Sequence, residues 1–111
     1  MLDNRKDLTK NKFLGNKLEI FQFSDGYRGN IDSVLVAAAV TAESGQKVLE
    51  LGCGNGVALC CLLYRISGIE AFGIEIDKKV ADLCQQNIAS NNFKANIFIG
   101  DVTTNIKELK S

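Results

Sequence analysis

The 111-residue chain contains no proline and no histidine. Without proline it is poor in rigid turns, and every catalytic motif that requires a proline is excluded. Without histidine, and with no Cys-x-x-Cys spacing among Cys53, Cys60, Cys61 and Cys84, the pattern of a zinc site is missing and no metal is expected. An excess of one charge is missing too. Thirteen basic and thirteen acidic side chains cancel, so no global nucleic-acid footprint shows. Apolar runs such as Val34 to Val40, of seven residues, and Val57 to Tyr64, of eight, stay far short of the about 20 that a membrane span needs. The opening residues, Met-Leu-Asp-Asn-Arg-Lys, do not resemble a signal peptide. Three of the cysteines fall in apolar helical patterns and read as small buried hydrophobes with reduced thiols. A cytoplasmic protein without a membrane partner is the expectation.

What is present is an ordinary globular composition, 46% apolar, at a length that suits one domain with a modest core. Residues 1–16 form a locally basic segment, with Arg5, Lys6, Lys10 and Lys12 against Asp3 and Asp7. That segment reads as a solvated or frayed terminus, and residues 17–111 as the folded unit.

The most informative stretch is Val48-Leu-Glu-Leu-Gly-Cys-Gly-Asn-Gly56. Val48, Leu49 and Leu51 make a short apolar run that suits a parallel strand covered on both faces. Gly52, Gly54 and Gly56 remove the β-carbons that would keep a ligand away. The apolar stretch from Val57 to Ile66 then reads as a helix, which places the glycines in the crevice where open α/β sheets bind ligands. The spacing is Gly-x-Gly-x-Gly. A dinucleotide fingerprint would need a third glycine at position 57, which is Val57. Glu50, two residues before the first glycine, adds negative charge that favours a cationic ligand over a diphosphate.

The rest of the chain supports an α/β reading. Leu18 to Phe23 marks a short strand outside the main sheet. Asn30 or Asp32 can cap a helix from Ser33 to Ala42. Glu70 to Ile74 reads as a second strand ending at Glu75. Asp77 caps a helix to about Ser90, with Val80, Cys84 and Ile88 inward and Asn91 and Asn92 at its end. Ala95 to Ile99 is a third strand before Gly100 and Asp101. The fold class is a parallel sheet of about three main strands with flanking helices, the glycine strand toward one side. Glu75 lies nineteen positions beyond Gly56, where a carboxylate can accept both hydroxyls of a ribose. Asp101 sits likewise at the third strand end, where it can accept from the amine of a purine. Three neighbouring strand ends therefore describe a pocket for an adenosine-like group.

These segments, with Gly73-Ile-Glu-Ile-Asp77, Gly100-Asp101 and the upstream Gly26-Tyr-Arg-Gly-Asn-Ile-Asp-Ser-Val-Leu-Val36, resemble class I S-adenosylmethionine-dependent methyltransferases. Over residues 15 to 105 the chain is similar to the amino-terminal half of the bacterial tRNA1(Val) adenine-N6 methyltransferases, a methyltransferase small domain. The resemblance implies a Rossmann-like methyltransferase fold and S-adenosylmethionine as cofactor. It also implies roles. Gly52, Cys53, Gly54, Asn55 and Gly56 would wrap the methionine part, with Glu50 supporting the loop. Glu75 would hold the ribose hydroxyls, and Ile76 would pack on adenine. Asp101 and Val102 would meet the adenine edge, and Tyr27, Asn30 and Asp32 would approach the methionine end.

One departure matters. The relatives that methylate amines carry an Asn/Asp-Pro-Pro-Tyr/Phe motif after the fourth strand, and this chain has no proline. The resemblance therefore implies an apparently truncated domain, with no catalytic residue assigned, inactive alone, and with tRNA a partner only of a full-length form. The missing fourth strand would leave the glycine strand an open edge, which favours self-association. Two other readings stay open: a non-catalytic cofactor-binding or interaction fragment completed by a partner chain, and a nicotinamide-dependent dehydrogenase, against which Val57 counts.

Overall fold

The computed structural model describes residues 7–24 and 43–101. The expected helix Ser33–Ala42 lies outside them. Two sheets are present among the described residues. Strands β1 (Leu8–Phe13) and β2 (Leu18–Phe23) form an antiparallel hairpin, with Leu8 opposite Phe23 and Phe13 opposite Leu18. Strands β3 (Lys47–Leu51), β4 (Glu70–Glu75) and β5 (Asn96–Ile99) form a parallel sheet in that order. Helix α1 (Val57–Arg65) joins β3 to β4, and α2 (Lys78–Ser90) joins β4 to β5. Among the described residues the glycine strand β3 stands at the edge of its sheet, as the sequence leads one to expect.

The hairpin corrects the frayed-terminus reading. Leu8 to Phe13 is a strand, and its apolar residues are used: Leu8 packs with Phe21 and Leu83 of α2. A run of left-handed residues, Leu14, Gly15 and Asn16, closes the hairpin, with the Lys17 N–H donating to the Leu14 carbonyl at 3.2 Å.

Helix boundaries follow side-chain chemistry. The Asp77 carboxylate accepts from the N–H of Lys79 at 2.9 Å and of Val80 at 3.3 Å, capping α2. At the other end Asn92 turns left-handed, at φ 64°. Its N–H donates to Ala89 and that of Phe93 to Ile88, which satisfies two terminal carbonyls. Helix α1 has no side-chain cap hydrogen bond at Gly56.

The main core cluster lies on one face of the parallel sheet. Val48, Ala71 and Ile97 point into a cluster with Val57, Leu59, Cys60, Leu62, Cys84 and Ile88, joined from the hairpin by Leu18 and Ile20. The opposite face differs from the expectation that β3 is covered on both sides. Leu49 and Leu51 stand 36% and 53% exposed. Alternation explains this: Leu49 and Leu51 share the face away from Val48 and Glu50.

The hairpin is not a continuation of the parallel sheet. Its free edge is instead paired by side-chain amides of α2. Asn87 Oδ1 accepts the Phe21 N–H and Asn87 Nδ2 donates to the Phe21 carbonyl, both at 2.9 Å. One turn on, Asn91 Oδ1 accepts the Glu19 N–H at 3.1 Å and its Nδ2 donates to the Glu19 carbonyl at 2.8 Å. A helical turn of four residues rises about 6.0 Å, and two strand residues advance about 6.6 Å, so two amides one turn apart meet alternate peptides of β2.

The two amides differ in burial, and stability should follow. Asn87 is fully buried, so Asn87→Ala strands buried backbone groups and should cost about 3 kcal/mol, against about 1 kcal/mol for the more exposed Asn91→Ala, in urea denaturation.

Candidate functional site

The crevice is built from the carboxyl ends of β3, β4 and β5. After Leu51 the chain folds over β4: the N–H groups of Gly52 and Cys53 both donate to the Ile74 carbonyl, at 2.8 and 3.0 Å. Gly52, Gly54 and Gly56 all have positive φ. At Gly56, φ is +91° and a β-carbon would sit 2.9 Å from the Cys84 sulfur, so glycine is required both by conformation and by contact. Gly73 plays a matching part below the loop. A β-carbon there would lie 2.9 Å from the Cys53 sulfur and 3.1 Å from Ile97 Cδ1, so its absence lets the loop settle on β4.

Glu75 fastens the crevice. Its Oε1 accepts the Gly54 N–H at 3.0 Å and its Oε2 accepts the Asp77 N–H at 3.1 Å. Its carbonyl accepts the Gly100 N–H at 3.0 Å, which brings Asp101 to the same rim. Each carboxylate oxygen keeps a second lone pair for a ligand hydroxyl. Ile76, 70% exposed, offers an apolar surface beside it. The three strand ends thus stand together, with Glu75 linking the glycine loop to the start of the third.

Asn55 sits differently from its neighbours in the loop. It is buried, and its side chain turns away from the rim. Nδ2 donates to Gln22 Oε1 at 2.9 Å, and Oδ1 accepts the Val57 N–H at 3.3 Å at the start of α1. Tyr27, Asn30, Asp32 and Val102 lie outside the described residues.

Beneath the loop lies Glu50. Its Oε1 is buried without a hydrogen-bond partner among the described residues. Burial raises its carboxyl from an ordinary 4.5 to about 7. The cysteines are all free and buried. The Cys84 thiol donates to the Cys53 sulfur at 3.8 Å. That bond, and then burial, holds Cys84 protonated, and burial pushes Cys60 up to about 12 and Cys61 to about 11. The raised values of Cys60, Cys61 and Cys84 favour the protonated, weakly nucleophilic thiol. No helix among the described residues is long and apolar enough to cross a membrane.

Sequence reasoning left out Gln22, Asn87 and Gly73. Asn87 carried a signal, as a polar residue three positions after Cys84 and next to Ile88 on the inward stripe of α2. Gly73 lay inside a quoted motif without a role.

A glycine-rich loop at the first strand tip, an acidic group at the second and another at the third stand together on a parallel α/β sheet of the Rossmann-like methyltransferase fold. The chain matches the methyltransferase small domain over residues 23–111 and belongs to that family. It is similar to the tRNA1(Val) (adenine(37)-N6)-methyltransferase of Pedobacter heparinus, 28% identical over 79% of this chain and 38% of that one. Among solved structures, a SAM-dependent methyltransferase from Agrobacterium tumefaciens aligns with a TM-score of 0.70 at 18% identity, over 94% of this chain and 36% of that one. One from Geobacter sulfurreducens, in complex with S-adenosyl-L-homocysteine, aligns with a TM-score of 0.57 at 24% identity, over 66% and 30%. The chain spans between 14% and 38% of the length of the curated relatives it matches.

The buried Glu50 has a pH signature. Its folded-state value lies above its unfolded one, so the unfolded chain releases the proton first and stability falls as pH rises from about 4.5 to about 7. The loss amounts to about 3 kcal/mol. Glu50→Gln should remove this decline; urea midpoints at pH 4.5 and pH 8 for both proteins measure it.

Proposed function

We propose that this chain carries the S-adenosylmethionine-binding part of a methyltransferase that modifies adenine N6 in tRNA. The observation that carries the reading is the Glu75 carboxylate, tied to the Gly54 N–H and placed between the glycine loop and the β5 tip. The residues present fit the cofactor. The loop lets a ligand approach the backbone, and the unpartnered Glu50 oxygen beneath it suits a cationic methionine end. Glu75 retains acceptor capacity for ribose hydroxyls, exposed Ile76 can cover one face of adenine, and Asp101 stands where the adenine amine would reach it.

When bound, the cofactor supplies an electrophilic methyl group. The chain's own residues bind and orient it, and alignment against an acceptor amine would supply most of the acceleration. The 111 residues contain no proline-bearing acceptor motif. The chain alone therefore binds cofactor without transferring the methyl group. The adenine and tRNA assignment is supported by the Pedobacter relative and by the upstream Gly26–Val36 segment.

Calorimetric titration with S-adenosyl-L-homocysteine tests the reading. The chain should bind it, and NADH should not compete; competition by NADH would instead favour a dehydrogenase. Glu75→Ala should weaken binding at least tenfold, since hydrogen bonds to charged groups each contribute about 1.5–3 kcal/mol. Unchanged affinity would remove the ribose assignment.

A further inference from the structure

Asn55 is held from two directions, by β2 of the hairpin and by the middle of α2. Its side-chain Nδ2 donates to Gln22 Oε1 of β2 at 2.9 Å. Its carbonyl accepts from Asn87 Nδ2 of α2, also at 2.9 Å. That same Nδ2 serves the Phe21 carbonyl, so the two grips share one strand. Gln22 is fixed in turn, because its Nε2 donates to Asn11 Oδ1 of β1 at 2.9 Å and Thr9 Oγ1 donates to the same oxygen at 3.2 Å. Gln22, Asn55 and Asn87 are all buried. The chain of amides runs from β1 through β2 to the middle of the glycine loop.

This arrangement costs more than an apolar core would unless every member is satisfied. A hairpin that served only to cover α2 could do so with Leu8, Phe21 and Phe23 alone. The polar members converge instead on the single loop residue between Gly54 and Gly56. Gly54 is the residue whose N–H meets Glu75, so the aim of that N–H depends on where Asn55 is held.

We propose that Gln22 and Asn87 are positioning residues, which lock the glycine loop in its ligand-accepting shape and make cofactor affinity depend on the amino-terminal hairpin. The inference rests on the cofactor reading above.

The test uses Gln22→Met, which keeps the volume and removes the hydrogen bonds to Asn55 and Asn11, with Ile20→Val as a control on the same strand that leaves the amides intact. Two readouts are taken well below the unfolding temperature: amide exchange at Gly54 and Gly56 in the free protein, and S-adenosyl-L-homocysteine affinity. In Gln22→Met, exchange at these two amides should rise about tenfold and affinity should fall about tenfold. Neither should move in Ile20→Val, while β4 and β5 amides stay protected in both. Unchanged loop exchange in folded Gln22→Met overturns the proposal, as does an equal change in the control. If the wild-type chain binds no homocysteine analogue, the cofactor reading fails, and the exchange data still decide whether the hairpin holds the loop. Should Gln22→Met not fold, Asn11→Ala, at a half-buried position, gives the same readouts with an expected change of about threefold; no change there overturns the proposal equally.

Discussion

A buried peptide group must find a partner, and in this molecule the partner is repeatedly a side-chain amide. Asn87 serves both polar groups of Phe21 and the carbonyl of Asn55. These residues belong to the hairpin and to the glycine loop, and neither is a neighbour of Asn87 in sequence. One carboxamide therefore welds together three segments that hydrophobic packing would only press together. Packing is tolerant of small slides, whereas hydrogen bonds to defined atoms are not. The loop's conformation follows from that difference.

The same logic governs the rim. The absent β-carbon at Gly56 lets the loop meet Cys84, that at Gly73 lets Cys53 of the loop settle on β4, and two N–H groups fold back to Ile74. Glu75 then ties the loop to the start of α2 with one carboxylate. Its oxygens accept backbone donors, whereas Glu50 Oε1 lies buried beneath the loop without a hydrogen-bond partner among the described residues. The two acidic groups thus divide the work. One organises the rim through backbone donors, and the other holds an oxygen without a donor.

Much of this was legible in the residues. Alternating glycines after an apolar run mark a strand-to-helix turn, and the Asp77 cap and the Asn91–Asn92 stop bound α2 to the residue. Local signals suffice for such features because their partners lie within a few positions. The hairpin's outer strand was hidden by its charges, since Lys10 and Lys12 stand on a strand whose remaining positions are half used for packing. Asn87 was hidden by distance: its partner Phe21 is 66 residues away, and an asparagine on a helix is ordinarily read as solvated. The exposure of Leu49 and Leu51 was missed because an apolar run does not say which of its faces is covered. The ligand roles assigned to Tyr27, Asn30, Asp32 and Val102 fall outside the described residues.

The pairing of α2 with the edge of β2 carries a limit on size. The rungs of a helix and of a strand differ by about 0.6 Å per repeat, so the mismatch accumulates as in a vernier. After two rungs the error is still within the tolerance of a hydrogen bond, and by the fourth it is not. Lengthening the hairpin along α2 would therefore bring no further grip, and any longer accessory strand would have to bend or find another partner.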